Sequence, residues 1–219
     1  MVVMPPAAVM SRPPEAATTA TFRNLPSAKR ERIINAAIDE FSQRNVEEAK
    51  LSNIVRQAGI PRGSIYQYFP SKEDLYVYIF ESLRGARYEY ERPAFELYKT
   101  QPFLTFFEEF YYRDSSYLLR HPKHIELGKV MYSHARGVSM GLIRAIQKRY
   151  RDTFLVGIDY DKEHGRMRPD LDATALADLC THFVTDVFIF QNLSEVVSQS
   201  GMKRHLIGTL DIIRRGVEV

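Results

Sequence analysis

Between Leu51 and Leu75 the chain reads LSNIVRQAGIPRGSIYQYFPSKEDL, and this stretch gathers side chains suited to a nucleic-acid surface. Gln67 carries a donor and an acceptor together, which is what reading an adenine edge in the major groove requires. Tyr66 and Tyr68 carry phenolic hydroxyls suited to phosphate oxygens. Arg62, Gly63, Ser64, Tyr66 and Gln67 are polar or small, whereas Ile65 and Phe69 fall four apart on an inner side. A groove about 12 Å wide admits a helix only if its leading surface is slim, and Gly63 with Ser64 supplies that slimness. Lys72 stands at the start of a further helix, where backbone amides and the dipole already favour an anion.

The elements that must position these residues are helices. Ser27 is a candidate N-cap after Pro26, and Ile33, Ile34, Ala37, Ile38 and Phe41 predict a first helix stopping near Asn45. A second helix over Leu51 to Ala58 ends at Gly59, where a left-handed residue is wanted. A third covers about Pro61 to Phe69 and is stopped by Pro70, since the residue before proline leaves the α region. Ser71 caps a fourth, with Asp74 completing an approximate capping box, and Pro93 kinks or ends it. A short helix, a glycine turn and a second short helix make the geometry that lets one helix enter the major groove.

The run Gly59 to Phe69, followed by Lys72, Glu73, Asp74 and Leu75, resembles the DNA-binding signature of TetR-type regulators, over roughly Ala28 to Leu83. The resemblance implies a three-helix reading head, a C-terminal ligand-binding and dimerisation domain, and a palindromic operator. It puts Lys72, Tyr66 and Tyr68 at positions that usually hold phosphate contacts, and Arg62, Gly63, Ser64 and Gln67 on the base-facing surface. Two departures stand out. Lys50 replaces the threonine or serine that often caps the second helix, losing a cap but placing a cation near the backbone. Pro61 replaces a capping serine, though proline suits a first helical turn.

After Leu83 the resemblance weakens. Phe103 to Tyr117 is dense in aromatics, and Phe107, Phe110 and Tyr111, with the later Phe154 and Phe183, are candidate walls for a mostly apolar or aromatic effector; taken singly, each is better explained as core packing, since aromatics dominate ordinary cores. Leu176, Cys180, Phe183, Val187 and Phe190 line one face of a later helix while Val184 and Phe188 widen it. Leu206, Leu210 and Ile213 follow on the last helix. Stripes this wide predict burial on two sides, against the subunit's core and a second subunit, with Phe188 and Ile213 at the dimer interface.

Composition sets the outer bounds. The chain has 219 residues, a formal net charge of +3 and a single cysteine, Cys180, which excludes an intramolecular disulfide. No run reaches the roughly 18 apolar residues of a membrane span, and the N-terminus lacks the pattern of a signal peptide, so a cytoplasmic protein is expected. Residues 1–24, rich in Pro, Ala and Thr, read as a disordered arm; 25–70 as the helix-turn-helix domain; and 71–219 as a helical effector-binding and dimerisation domain. Alternating strand patterns are absent, so the fold class is all-α. There is no P-loop, dinucleotide fingerprint or HExxH; His121 and His124 flank Pro122 and Lys123, and Cys180 and His182 point to different sides of a helix. No metal, cofactor or catalytic cluster is therefore expected. The expected function is a homodimeric repressor that a small molecule releases from double-stranded DNA. The alternatives are an activating or ligand-independent regulator of the same fold, or a helical enzyme acting on an aromatic small molecule.

Overall fold

The apolar stripes read at threefold and fourfold spacing become helices closed against one another in the computed structural model, which describes residues 18–185 and 199–217. The elements are α1 (Ala20–Arg23), α2 (Ser27–Phe41), α3 (Leu51–Ala58), α4 (Ser64–Tyr68), α5 (Lys72–Phe95), α6 (Phe103–Arg120), α7 (Pro122–Ser133), α8 (Gly137–Glu163), α9 (Ala173–Thr185) and α10 (Gln199–Val217). Among the described residues there is no strand, and the class is all-α. The chain divides into two compact units, and α5 and α8 each contribute residues to both.

The first unit takes its described residues from 18–86 and 121–143. Ile33, Ala37, Ile54, Ala58 and Ile65 lose nearly all solvent contact there, with α2 packed against both α3 and α7. Tyr76 of α5 is fully buried beside Phe41, ring centroids 4.9 Å apart and edge-on, and its hydroxyl shares a 3.1 Å hydrogen bond with Ser139. Burial raises that phenol to about 12, against the lowering effect of the Ser139 bond. The second unit takes its described residues from 87–120, 144–185 and 199–217. Its centre is a set of rings, Phe103, Phe106, Phe107, Phe110 and Phe154, all buried. Asp161 of α8 accepts the Phe103 backbone N–H at 2.6 Å and so ties down the start of α6. Gly157 faces the Phe103 ring so closely that a Cβ there would lie 3.0 Å from it.

Several expected boundaries move. Residues 18–24 belong to the folded unit rather than to a disordered arm; the preceding seventeen lie outside the described residues. The reason is Phe22, a large apolar side chain in a stretch otherwise poor in them. Phe22 is fully buried against Phe69, Tyr78 and Tyr68, at centroid distances of 4.6, 5.3 and 5.9 Å. Ser27 is the first helical residue of α2 rather than its cap, with Pro26 in the cap position and no side-chain cap bond. α2 ends at Phe41, short of Asn45, whose side chain instead accepts the Glu48 N–H at 3.0 Å and shapes the following turn. α5 runs past Pro93 to Phe95; so near a helix end, the lost N–H removes one bond without breaking the element.

Candidate nucleic-acid interface

α3 begins without a side-chain cap of its own, since Lys50 occupies the cap position in extended conformation. Glu40 of α2 takes over that task. One of its carboxylate oxygens accepts the Lys50 N–H at 2.9 Å, and the other accepts the Asn53 side-chain amide at 3.0 Å. A helix start leaves backbone donors orphaned, and here a buried carboxylate from the neighbouring helix satisfies one while favouring the positive end of the helix dipole. The glutamate lies ten residues before the cap it replaces, outside any local capping pattern, and sequence reading missed it.

The end of α3 forms as expected. Gly59 adopts φ 64°, ψ 41°, a left-handed conformation that costs a glycine little. The Ile60 N–H returns to the Val55 carbonyl at 3.0 Å and the Gly59 N–H to Arg56 at 3.2 Å, the paired bonds of a Schellman close. The chain then turns through Pro61, Arg62 and Gly63 into α4, which is shorter than the expected third helix. Its far end is fixed twice. Phe69 is extended, as a residue before proline must be. The segment ahead of α1 also caps its carbonyls: Thr19 donates through Oγ1 to Gln67 O at 2.6 Å and through its backbone N–H to Tyr68 O at 3.0 Å.

On this short helix the predicted residues divide cleanly. Arg62, Gly63, Tyr66 and Gln67 are exposed, Tyr66 by 60%, and Ser64 is half-buried beside them. Ile65 and Phe69 point inward, as their spacing predicted. Tyr68 does not join the outer face. It is only 4% exposed, with its ring among those around Phe22 and the Lys29 ammonium 5.7 Å from the ring centroid. The correction follows from α1: once Phe22 is folded in, position 68 faces it. Lys50 is exposed at the start of α3. Lys72 sits at the start of α5 beside the Ser71 cap, whose Oγ accepts the Asp74 N–H at 3.0 Å. The Lys72 ammonium donates to the Glu47 and Ala49 carbonyls at 2.9 and 3.1 Å, so in this state it braces the loop between α2 and α3.

In the second unit the effector candidates do come together, chiefly as packing. Phe154 meets Phe107 and Phe110 edge-on at 5.3 and 5.5 Å, and Tyr111 meets Phe183 at 5.1 Å. Phe110 and Phe154 are fully buried. An apolar cleft of about 110 Å³ opens where Phe107 and Phe183 meet Cys180, Leu210 and Ile213. Burial pushes the Cys180 thiol upward, keeping it protonated and apolar in character. Ile213, expected at a dimer interface, lines this cleft, and Leu179 and Ile212 beside it are exposed. Val187, Phe188 and Phe190 lie outside the described residues.

A buried polar cluster in the same unit gave no sequence signal. Arg87 donates to Asp114 and, at 3.1 Å, to Glu91, and the Tyr150 hydroxyl donates to Glu91 at 3.3 Å. Asp114 is fully buried, yet one of its oxygens has no hydrogen-bond partner among the described residues. Burial, then the neighbouring Asp114, hold the Glu91 carboxyl well above the usual carboxylate range, with Arg87 opposing them. Spacings of four along α5, with the other partners on α6 and α8, are invisible to any single-helix pattern.

Residues 33–79 match the family described as bacterial regulatory proteins, tetR family. Over 66 residues the chain is 36% identical to the HTH-type transcriptional regulator RutR of Escherichia coli strain K12, a match covering 30% of this chain and 31% of RutR. The chain thus matches about a third of the length of that curated relative. Along nearly the whole chain it is similar to a TetR family regulator from Chloroflexus aurantiacus J-10-FL, at 23% identity and a TM-score of 0.61, covering 92% of this chain and 99% of that one. It is also similar to FadR of Bacillus subtilis, solved in complex with stearoyl-CoA, at 17% identity and a TM-score of 0.68, covering 82% and 96%. At these identities the two structures speak for the fold.

Proposed function

We propose, for a chain that belongs to the TetR family of bacterial regulatory proteins through its N-terminal domain, that it is a ligand-responsive repressor acting as a homodimer on a palindromic operator. The observation that carries the proposal is the outer face of α4, where Arg62, Gly63, Ser64, Tyr66 and Gln67 stand clear of a core closed by Ile65, Tyr68 and Phe69. A slim polar face on a rigid support is what direct readout in the major groove demands. Gln67 and Arg62 meet base edges, and Gly63 and Ser64 let the backbone approach. Tyr66, Lys50 and Lys72 meet phosphates, Lys72 by exchanging its carbonyl partners for a phosphate oxygen. Two α4 helices occupy successive major grooves, roughly 34–36 Å apart.

The effector enters the second unit near Phe107 and Phe183 and is apolar, in keeping with the lining of the cleft there. FadR, whose fold this chain shares, was solved with stearoyl-CoA, which supports an apolar group as the recognised chemistry. α5 supplies residues to both units and carries the change between them. The effector acts only through its differential affinity for the DNA-competent and released states. A gel shift with genomic fragments, with and without excess competitor DNA, tests the central claim: a fragment retained against competitor is expected, and indifference to sequence would overturn it. A thermal-shift screen of apolar and aromatic compounds tests the effector. Stabilisation by strongly charged, non-aromatic compounds alone, together with DNA release by them, would remove the apolar reading.

A further inference from the structure

α8 and α9 flank a second, open cleft, of about 290 Å³ and of opposite chemistry to the apolar one, lined by Arg144, Gln147, Lys148, Arg151, Thr181 and His182 together with one carboxylate, Asp178. Arg144, Lys148 and Arg151 recur at steps of four and three, which stacks their side chains on one face of α8. Two of the three cations have partners: Lys148 pairs with Asp152 at 2.5 Å, and Arg151 with Asp178 at 3.6 Å. Arg144 has none among the described residues, and it is exposed at the cleft. The lining therefore carries positive charge beyond what its own carboxylates neutralise.

The second observation is Thr181. A threonine within a helix ordinarily returns its hydroxyl to the carbonyl one turn back. Thr153 does so to Arg149 at 2.8 Å, and Thr185 to Thr181 at 2.9 Å. Thr181 does not: it is 2% exposed, lines the cleft, and its Oγ1 has no partner among the described residues. A buried hydroxyl without a partner is costly. His182, held through Nδ1 to the Asp178 carbonyl at 2.7 Å, completes a lining made mostly of donors.

We propose that this cleft binds a small dianionic ligand, a phosphate ester or a short dicarboxylate, at a site separate from both the face of α4 and the apolar cleft. Guanidinium forks and an ammonium suit the paired oxygens of either group. The Thr181 hydroxyl supplies a neutral donor at depth. The volume falls just below the roughly 300–1,000 Å³ of drug-sized ligand pockets, which limits the occupant to a small metabolite.

Calorimetric titration of the full-length protein without DNA, at ionic strength held constant with chloride, tests the site with inorganic phosphate and, separately, malonate. Saturable binding of one equivalent per chain is expected from at least one probe; phosphate alone identifies a phosphate ester, malonate alone a dicarboxylate. Arg144→Gln and Thr181→Val should each weaken the binding about tenfold, a factor equivalent to 1.4 kcal/mol. Arg144 is exposed, so Arg144→Gln should keep the ligand-free melting temperature; Thr181→Val removes a buried hydroxyl that has no partner among the described residues and should hold or raise it. No saturable binding by either probe, or binding undiminished in both variants, would overturn the proposal. So would variants that bind normally but sediment differently, for the cleft would then be a contact between subunits. None of these results bears on operator binding, so the site fails or stands independently of the regulator reading.

Discussion

At the scale of single residues, the outer face of α4 was legible because helical spacing and side-chain type suffice to separate Ile65 and Phe69 from Arg62, Tyr66 and Gln67. Tyr68 was misplaced because its environment comes from Phe22, 46 residues away in the chain, which no local pattern connects to it. Gln67 is exposed and is the residue to which base reading is assigned. Gln67→Ala should lower operator affinity by about 1–3 kcal/mol if it makes a bidentate pair, and only at particular operator positions. Competition gel shifts across single-base operator variants measure this. A uniform loss over all variants would assign Gln67 to phosphates instead. Glu40 makes the complementary point, a residue with no motif that holds the start of α3. Glu40→Ala leaves the Lys50 N–H and the Asn53 amide without that acceptor and should destabilise the fold by roughly 1–3 kcal/mol. Urea denaturation reads the change, and an unshifted midpoint would show that water replaces the carboxylate.

At the scale of elements, helix identities were readable and their ends less so, because caps are supplied from elsewhere in the fold. α3 is begun by a carboxylate of α2, α4 is ended by Thr19, and α6 is begun by Asp161 of α8. The cluster joining α5, α6 and α8 carries its own pH signature. The groups facing Glu91 include Arg87 and Tyr88 on its own helix, Asp114 and Tyr117 of α6, and Tyr150 of α8. Its folded pKa lies well above the ordinary 4.5, through burial first and Asp114 second. Above that ordinary value the folded chain therefore holds a proton that the unfolded chain has released. The stabilising contribution is complete below pH 4.5 and declines as pH rises toward the folded pKa. Glu91→Gln keeps a hydrogen-bonding side chain with no proton to lose, so its stability should fall less than that of wild type between mildly acidic and alkaline pH. Urea midpoints at pH 5, about 7 and about 9 compare the two; parallel profiles would assign the wild-type slope to other groups.

At the scale of the whole molecule, the proposed reading helix α4 has five residues, enough to span only a few base pairs, so useful specificity requires a second half-site. In the proposed dimer two-fold symmetry supplies one, and the proposed palindromic operator follows from it. The surface proposed for such pairing lies on α9 and α10, where Leu179 is 51% and Ile212 75% exposed and both line the apolar cleft with Ile213. Exposed large apolar residues grouped on two helices are a recognised mark of an interaction site. The sequence pointed to the same pair of helices through the width of their stripes. It could not say which of Leu179, Ile212 and Ile213 turns outward, because that depends on how α10 packs on α6. Leu179→Glu or Ile213→Glu places a charge in a desolvated apolar contact, which is expensive without a partner. Either variant should sediment as a monomer with its helical circular dichroism retained. Operator affinity should fall by about 10²–10⁴, the advantage that tethering one reading head to the other confers. Sedimentation of the unmodified protein decides the premise: a chain that stays monomeric at micromolar concentration, both alone and on its operator, has no second head to place, and the two-groove mechanism falls with it.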